Sequence, residues 1–93
     1  MAGPEARIEA YLRKEVEAAG GLCWKWVSPA NAGVPDRIVM LAGRVVFVEL
    51  KAAGERPRPL QLVKHRQLRA VGMDVRVIDS RDGCRALVRE LTA

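Results

Sequence analysis

A chain of 93 residues has room for one domain built around a single small core. Hydrophobic residues make up 49% and charged residues 29% of the chain, a composition that is typical of folded soluble proteins and excludes a disordered or low-complexity chain. The 16 Lys and Arg residues outnumber the 11 Asp and Glu residues and give a net charge of +5, which favours a polyanionic partner such as nucleic acid.

The two cysteines, Cys23 and Cys84, lie far apart and show no CxxC or Cys/His spacing. This spacing argues against structural zinc and a disulfide scaffold, and we expect two buried thiols in a reducing compartment. No apolar run approaches the roughly 18 residues of a membrane span, and no signal peptide follows Met1. We therefore expect an intracellular, cytoplasmic protein.

The first half of the chain predicts a helix, a strand and a loop. Residues 4–19 form the helix, with Pro4 suited to its first position and Gly20-Gly21 at its end. Its apolar stripe consists of Ile8, Leu12, Val16 and Ala19. Residues 22–27 are a strand candidate that carries Trp24 and Trp26, and residues 28–35 are rich in turn formers and predict a loop.

The second half begins with two β-branched runs, 37–41 and 44–50, which Ala42-Gly43 joins into a predicted tight hairpin. A loop at 53–59, a helix at 60–71 ended by Gly72, and a strand at 74–78 follow. Ser80 is positioned to cap a last helix, whose apolar stripe consists of Cys84, Leu87, Val88 and Leu91. The order α-β-β-β-α-β-α predicts an α/β fold with a mixed sheet flanked by helices.

The hairpin carries the most informative residues. If Ala42 and Gly43 are its two loop residues, Asp36 lies directly opposite Glu49, with Cβ atoms roughly 4.5–5.5 Å apart. Two carboxylates at that distance repel each other unless a cation lies between them. Lys51 lies two residues beyond Glu49 and points to the same face.

Two carboxylates and one amine suit the hydrolysis of a phosphodiester. Mg²⁺ needs only one or two carboxylates beside substrate phosphate, and an ammonium group can stabilise the charge that develops in the transition state. A surface salt-bridge cluster is the alternative interpretation. A register shift of one residue would also place Asp36 on the opposite face.

The segment Gly33-Val34-Pro35-Asp36, then Glu49-Leu50-Lys51 after one hairpin, then Gln61 in the next helix, resembles the VRR-NUC branch of the PD-(D/E)XK nucleases. The resemblance covers nearly the whole chain. It implies that residues 1–93 form a single nuclease domain of the restriction-endonuclease-like fold, which cuts DNA with Mg²⁺ or Mn²⁺. It also implies that Asp36, Glu49 and the backbone carbonyl of Leu50 bind the metal, and that Lys51 is catalytic.

Two further catalytic positions follow from the same resemblance. The glutamate of the family's first helix falls on Glu5, which lies within the apolar stripe, whereas Glu9 lies at its edge. A favourable charge at a helix N-terminus is the alternative interpretation of Glu5. The family's glutamine falls on Gln61, with Gln67 as the rival, and it would contact the attacking water or the scissile phosphate.

Several residues near these positions are candidates for contacts with DNA, although a solvated charge run and ordinary turn chemistry remain alternatives. They are Asn31, Arg56, Arg58, Lys64 and His65.

Three short helices are too few to cover the expected sheet, which predicts a homodimer, and we expect its surface to combine the Trp24–Trp26 strand with the first helix. Standalone family members resemble resolvases of four-way (Holliday) junctions, whose symmetry a two-fold dimer matches. The alternatives are a non-catalytic nucleic-acid-binding module, and a nuclease subunit of a replication or recombination complex without junction preference.

Overall fold

Three helices and four strands follow one another in the predicted order α-β-β-β-α-β-α. The computed structural model describes residues 3–93; Met1 and Ala2, which the expected domain 1–93 also includes, lie outside the described residues. The elements are α1 (Pro4–Ala18), β1 (Leu22–Lys25), β2 (Arg37–Leu41), β3 (Arg44–Leu50), α2 (Pro59–Ala70), β4 (Asp74–Ile78) and α3 (Arg81–Thr92). No helix within the described part of the chain is both long and apolar enough to cross a membrane.

The β2–β3 hairpin has the predicted register. Ala42 and Gly43 both adopt positive φ angles, of 53° and 77°, as a type I′ turn requires. Leu41 pairs with Arg44, and the pairing continues as far as Arg37 with Val48. Asp36 and Glu49 are the next pair of positions along the two strands.

The four strands form one mixed sheet in the order β1-β2-β3-β4. β2 runs antiparallel to β1 and β3, whereas β3 and β4 are parallel. The parallel pair needs a crossover connection, which α2 provides. Because α2 follows the end of β3 directly, its first turn lies beside the residues that end that strand.

One face of the sheet packs against α1 and α3 and forms the hydrophobic core. Ile8, Leu12 and Val16 of the predicted α1 stripe are buried there. The core also contains Cys23, Val39, Leu41, Val46, Val48, Leu50, Ile78, Cys84, Leu87 and Leu91. The two cysteines are free and buried, as expected, and burial raises the pKa of each thiol to about 11, so that both remain protonated near neutral pH.

The opposite face of the sheet is only partly covered, since α2 is the one helix of residues 3–93 that packs on it. Side chains alternate along a strand, so the burial of Cys23 in the core directs Leu22 and Trp24 to this opposite face. Leu22, Trp24 and Val45 remain 47%, 58% and 51% exposed, and we call these three residues the open face. Trp24 and α1 lie on opposite sides of the sheet, so the expected dimer surface that combines β1 with α1 would have to run around the edge strand β1, and it stays a prediction.

Gly21 joins α1 to β1 at a point where the backbone of β2 comes close. A Cβ atom at Gly21 would lie 2.6 Å from the carbonyl oxygen of Met40 and 3.0 Å from side chains of Leu41 and Val16. Because the first of these atoms belongs to a hydrogen-bonded strand, it cannot move without disturbing the β1–β2 pairing.

We therefore expect Gly21→Ala to lower the free energy of unfolding by roughly 1–3 kcal/mol, as overpacking of a tight site does. Urea unfolding of the variant and the wild type measures this difference. Gly3→Ala is the matched control, since a Cβ atom there meets nothing within 4 Å. Equal unfolding midpoints for the two variants would contradict the interpretation of Gly21.

Candidate active site

A cleft of about 370 Å³ opens where the hairpin strands end and α2 begins. It is lined by Glu5, Asp36, Glu49, Lys51, Glu55, Arg56, Arg58 and Gln61. The structure thus brings together every side chain that the sequence proposed as catalytic or metal-binding. These residues come from α1, the hairpin, the 51–58 loop and α2, so the cleft exists only in the folded chain.

Glu49 lies at the bottom of the cleft and is 1% exposed. Its Oε2 atom accepts a hydrogen bond from Gln61 Nε2 at 2.8 Å and lies 3.2 Å from Lys51 Nζ. Its Oε1 atom is buried and has no hydrogen-bond partner among residues 3–93. Burial, followed by the negative charge of Asp36, raises the pKa of Glu49 to about 7, although Lys51 acts in the opposite direction.

Asp36 is held at both its backbone and its side chain. The Trp26 N–H donates to the Asp36 carbonyl at 2.9 Å, which extends the β1–β2 pairing by one step. The Leu50 N–H donates to Asp36 Oδ2 at 2.8 Å, which fixes the carboxylate beside the end of β3. The second bond ties the orientation of Asp36 to the strand that carries Glu49.

The first helix places Glu5 at the cleft and Glu9 elsewhere. Glu9 Oε2 lies 2.7 Å from Arg37 Nε and 3.6 Å from Lys25 Nζ, in a separate and larger groove of about 430 Å³ along α1. The larger groove is therefore an ion-paired surface, whereas the predicted site residues line the smaller cleft. Of the two glutamates that the sequence offered, only Glu5 lies where it can meet the hairpin carboxylates.

Gln61 is fixed from two sides in the first turn of α2. Its Oε1 accepts from the Arg58 N–H at 2.8 Å, while its Nε2 donates to Glu49. Its rival Gln67 lies outside the cleft. Gln67 instead lines a second, smaller pocket, which we call the Trp26 pocket and which is formed by Trp26, Asn31, Val34, Lys64, Gln67 and Leu68.

The structure separates the five candidates for DNA contact. Arg56 and Arg58 line the cleft, whereas Asn31 and Lys64 line the Trp26 pocket. His65 was wrongly included, because its side chain is 1% exposed and offers no surface to DNA.

His65 lies instead behind Glu49, where its Nε2 is 3.9 Å from Glu49 Oε1. Burial, followed by the charges of Arg69 and Lys51, lowers the pKa of His65, which favours the neutral imidazole. The contact is therefore neither an ion pair nor a hydrogen bond. The sequence does not predict this position, since a single His on a helix is equally compatible with an exposed and a buried side chain.

Glu55 is a cleft residue that the sequence analysis missed. It lies in the loop after Lys51, where its N–H donates to the Ala52 carbonyl at 2.9 Å. The position of this loop directly after the Glu49–Lys51 segment is the signal that could have identified Glu55.

The donor atoms of the cleft suit a hard divalent cation. Within residues 3–93, no group of three or more His, Cys, Asp and Glu side chains could hold a metal by itself. Asp36 and Glu49 with the Leu50 carbonyl form an all-oxygen set, and Mg²⁺ requires no more protein ligands than these. The buried Glu49 Oε1, which lacks a partner among the described residues, fits such an ion.

Known proteins are similar to this chain in both sequence and structure. No family model matches the chain. A protein named "Putative nuclease p44", from Acyrthosiphon pisum secondary endosymbiont phage 1, is 51% identical over 79 residues, which cover 84% of this chain and 85% of the phage protein. A solved structure described as "VRR_NUC domain" superposes with a TM-score of 0.86 at 33% identity, over 95% of this chain and 97% of that one.

The chain belongs to the VRR-NUC family of nucleases. The resemblance predicted from Asp36, the Glu49–Lys51 segment and Gln61 is thereby confirmed at the level of family and fold. In this VRR-NUC chain, four residues of the motifs that carried the resemblance line the cleft: Asp36, Glu49, Lys51 and Gln61.

The raised pKa of Glu49 makes the stability of the metal-free protein depend on pH. Ionisation of Glu49 costs more free energy in the folded than in the unfolded chain, so its contribution falls as the pH rises from about 4.5 to about 7. His65 acts oppositely, because a lowered pKa stabilises the fold above pH 6.5 and this contribution is lost as the pH falls.

Comparison with Glu49→Gln isolates the Glu49 contribution, since both proteins retain His65. In EDTA, we expect the free energy of unfolding of the wild type minus that of Glu49→Gln to decrease between pH 4.5 and pH 7. Urea unfolding at several pH values measures this difference. Glu17→Gln, at an exposed position in α1, should show a much smaller dependence, and a flat difference for Glu49→Gln would contradict the prediction.

Proposed function

We propose that this chain is a DNA endonuclease that hydrolyses phosphodiester bonds with Mg²⁺ or Mn²⁺, and that residues 1–93 act as a single nuclease domain. The observation that carries the proposal is one cleft that gathers Glu5, Asp36, Glu49, Lys51 and Gln61. Membership of a nuclease family supports the same conclusion.

In this proposal, Asp36, Glu49 and the Leu50 carbonyl hold the divalent cation. When bound, the cation neutralises charge on the phosphate and acidifies a water molecule. The chain's own contribution is to keep its ligands in place. The Leu50 N–H orients Asp36, and Gln61 with Lys51 engages Glu49 Oε2, which leaves Oε1 without a competing hydrogen bond among the described residues.

The remaining cleft residues act on water and phosphate. Lys51 presents an ammonium group that can donate to a phosphate oxygen and stabilise developing negative charge. Gln61, held between Arg58 and Glu49, can orient the attacking water, and Glu5 can accept a hydrogen bond from that water. Arg58 is exposed at the rim, where its guanidinium can make bidentate contacts with the DNA backbone.

We propose further that the protein acts as a two-fold dimer on branched DNA such as four-way junctions. The open face supplies the apolar surface for a second copy, because Leu22 and Trp24 of β1 and Val45 of β3 lie on the same face of the sheet, on either side of β2, and each remains about half exposed. A two-fold dimer presents two clefts related by symmetry, which matches the symmetry of a four-way junction.

Asp36→Asn tests the proposed metal site. Asn can still accept the hydrogen bond from the Leu50 N–H, so the fold should persist while cleavage is abolished. DNA binding should stay near the wild-type value or become tighter, because a negative charge near phosphate is removed. Labelled DNA with Mg²⁺, Mn²⁺ or EDTA measures cleavage, and gel shifts measure binding.

Asp82→Asn is the matched control, since Asp82 is an exposed carboxylate at the start of α3, outside the cleft. It should cut as the wild type does. Full cleavage by purified Asp36→Asn would contradict the assignment of Asp36 to the metal site.

Dimerisation and junction cleavage can be tested together. Light scattering should give about twice the 10.2 kDa chain mass, and Trp24→Glu should shift this value toward the monomer because it places a charge in the open face. Mixing wild type with excess Lys51→Ala should give heterodimers that nick one strand and release few linear products. A monomer at micromolar concentration, or equal cleavage of junction and plain duplex, would remove the junction-resolving role and leave the nuclease.

A further inference from the structure

The Trp26 pocket lies beside the cleft and has no part in the proposed hydrolysis. Its volume is about 220 Å³, below the roughly 300–1,000 Å³ of sites for drug-sized ligands. The pocket therefore suits a group about as small as one aromatic ring system. Its wall combines an indole, two amide side chains, one ammonium group and the apolar side chains of Val34 and Leu68.

The position of the pocket links it to the cleft. The Trp26 N–H donates to the Asp36 carbonyl, so the two residues lie opposite each other, one step beyond the paired ends of β1 and β2 and roughly 4.7–4.9 Å apart in the direction of the hydrogen bonds. On the other wall, Lys64 follows Gln61 by one turn of α2 and Gln67 follows by nearly two. The ends of β1 and β2 thus place Trp26 in the pocket and Asp36 in the cleft. Helix α2 places Gln61 in the cleft and Lys64, Gln67 and Leu68 in the pocket.

The pocket is built in advance by the packing of its walls. The Trp26 ring packs against Phe47, with ring centroids 5.0 Å apart and a tilt of 45°. The loop that carries Asn31 lies directly on α2 at Gly33, where φ is 91° and a Cβ atom would come within 3.1 Å of the Leu60 carbonyl oxygen. Asn31 is oriented by Ser28, whose hydroxyl accepts from Asn31 Nδ2 at 3.1 Å.

The chemistry of these side chains matches that of a nucleobase. An indole offers a π face on which any base can stack, and amide side chains carry both donors and acceptors for the polar edge of a base. Lys64 can pair with the phosphate of the same nucleotide. Asn31 and Gln67 are both exposed at the mouth of the pocket, so a base that enters from solvent meets their amide groups.

We propose that the Trp26 pocket takes a single unstacked nucleobase of the DNA, adjacent to the nucleotide whose phosphate lies in the cleft. This inference rests on the proposed nuclease function and adds a substrate preference to it. A base in intact duplex must be unpaired and unstacked before it can enter, whereas a base at a branch point or in a single strand is already free. The pocket therefore favours DNA with unpaired bases near the cut.

The test uses Asp36→Asn, which should bind DNA without cutting it. The chain has two tryptophans, and Trp24→Phe is added so that all tryptophan fluorescence comes from Trp26. An oligothymidine strand is compared with an abasic strand of equal length and charge. We expect oligothymidine to quench Trp26 fluorescence and the abasic strand to leave it unchanged. Stacking of one base should give oligothymidine a roughly 5- to 140-fold higher affinity.

Variants of the wall assign this preference to the pocket. Trp26→Leu should bring the affinity ratio of the two strands close to one, as measured by fluorescence anisotropy. Gln67→Ala should lower the ratio in part. Because Gln67 is exposed, this variant should fold normally, and it replaces Trp26→Leu in the test if Trp26→Leu does not fold. Leu62→Ala is the control, because Leu62 lies on α2, is 41% exposed and does not line the pocket. It should leave the ratio unchanged.

Three results would overturn the inference: equal affinity for the two strands, Trp26 fluorescence that does not respond to oligothymidine, or a ratio that survives both Trp26→Leu and Gln67→Ala. Cleavage by the wild type is measured in parallel on a four-way junction and on duplex. A wild type that cuts but binds both strands equally refutes only the base pocket. A wild type that cuts no DNA refutes the proposed function.

Discussion

The Ala42–Gly43 turn sets the register of β2 against β3, and this register holds the carboxylates of Asp36 and Glu49 together at the far end of the hairpin. Opposed like charges destabilise a sheet, and burial adds to the cost because Glu49 has lost its water. The rest of the cleft offsets this cost. Lys51 and Gln61 engage one oxygen of Glu49, and the Leu50 N–H engages one oxygen of Asp36.

One face of the sheet contributes mainly to the stability of the fold, and the other carries the proposed active site. The face that packs against α1 and α3 is apolar and closed, so it supplies most of the hydrophobic stabilisation that a chain of this size can obtain. The packing of α1 in that core also fixes the position of its first turn, which places Glu5 at the cleft. The other face carries the cleft, the Trp26 pocket and the open face, and α2 packs on it.

The polarity of α2 is reversed relative to an ordinary surface helix. Its buried residues are Gln61 and His65, whereas Leu60, Leu62 and Val63 are 51%, 41% and 36% exposed. A helix normally buries its apolar stripe. In α2 the polar stripe is buried instead, because the Glu49 carboxylate lies beneath it, 2.8 Å from Gln61 Nε2 and 3.9 Å from His65 Nε2. α2 is therefore positioned by contacts with Glu49 as well as by hydrophobic burial.

Prediction from sequence succeeded for features that are determined locally and failed for features that depend on how the elements pack together. The elements, the hairpin register and the place of Glu5 could be predicted, because turn chemistry and apolar periodicity determine them locally. The burial of His65 could not, since it depends on the reversed face of α2. The side of the sheet that Trp24 occupies also could not be predicted, because alternation separates two faces without saying which one a helix covers.

The features that contradict local rules all lie at one place, and that coincidence argues for function more strongly than any one of them. A buried carboxylate oxygen without a hydrogen-bond partner costs about 1–3 kcal/mol or more, and Glu49 Oε1 is such an atom among residues 3–93. Beside it, both ring nitrogens of His65 are buried and have no hydrogen-bond partner among residues 3–93. Selection for stability alone would replace Glu49 by an apolar residue, as at the neighbouring Val48 and Leu50. Proteins retain such local conflicts at functional sites, where a bound ion or substrate supplies the interaction that the chain lacks.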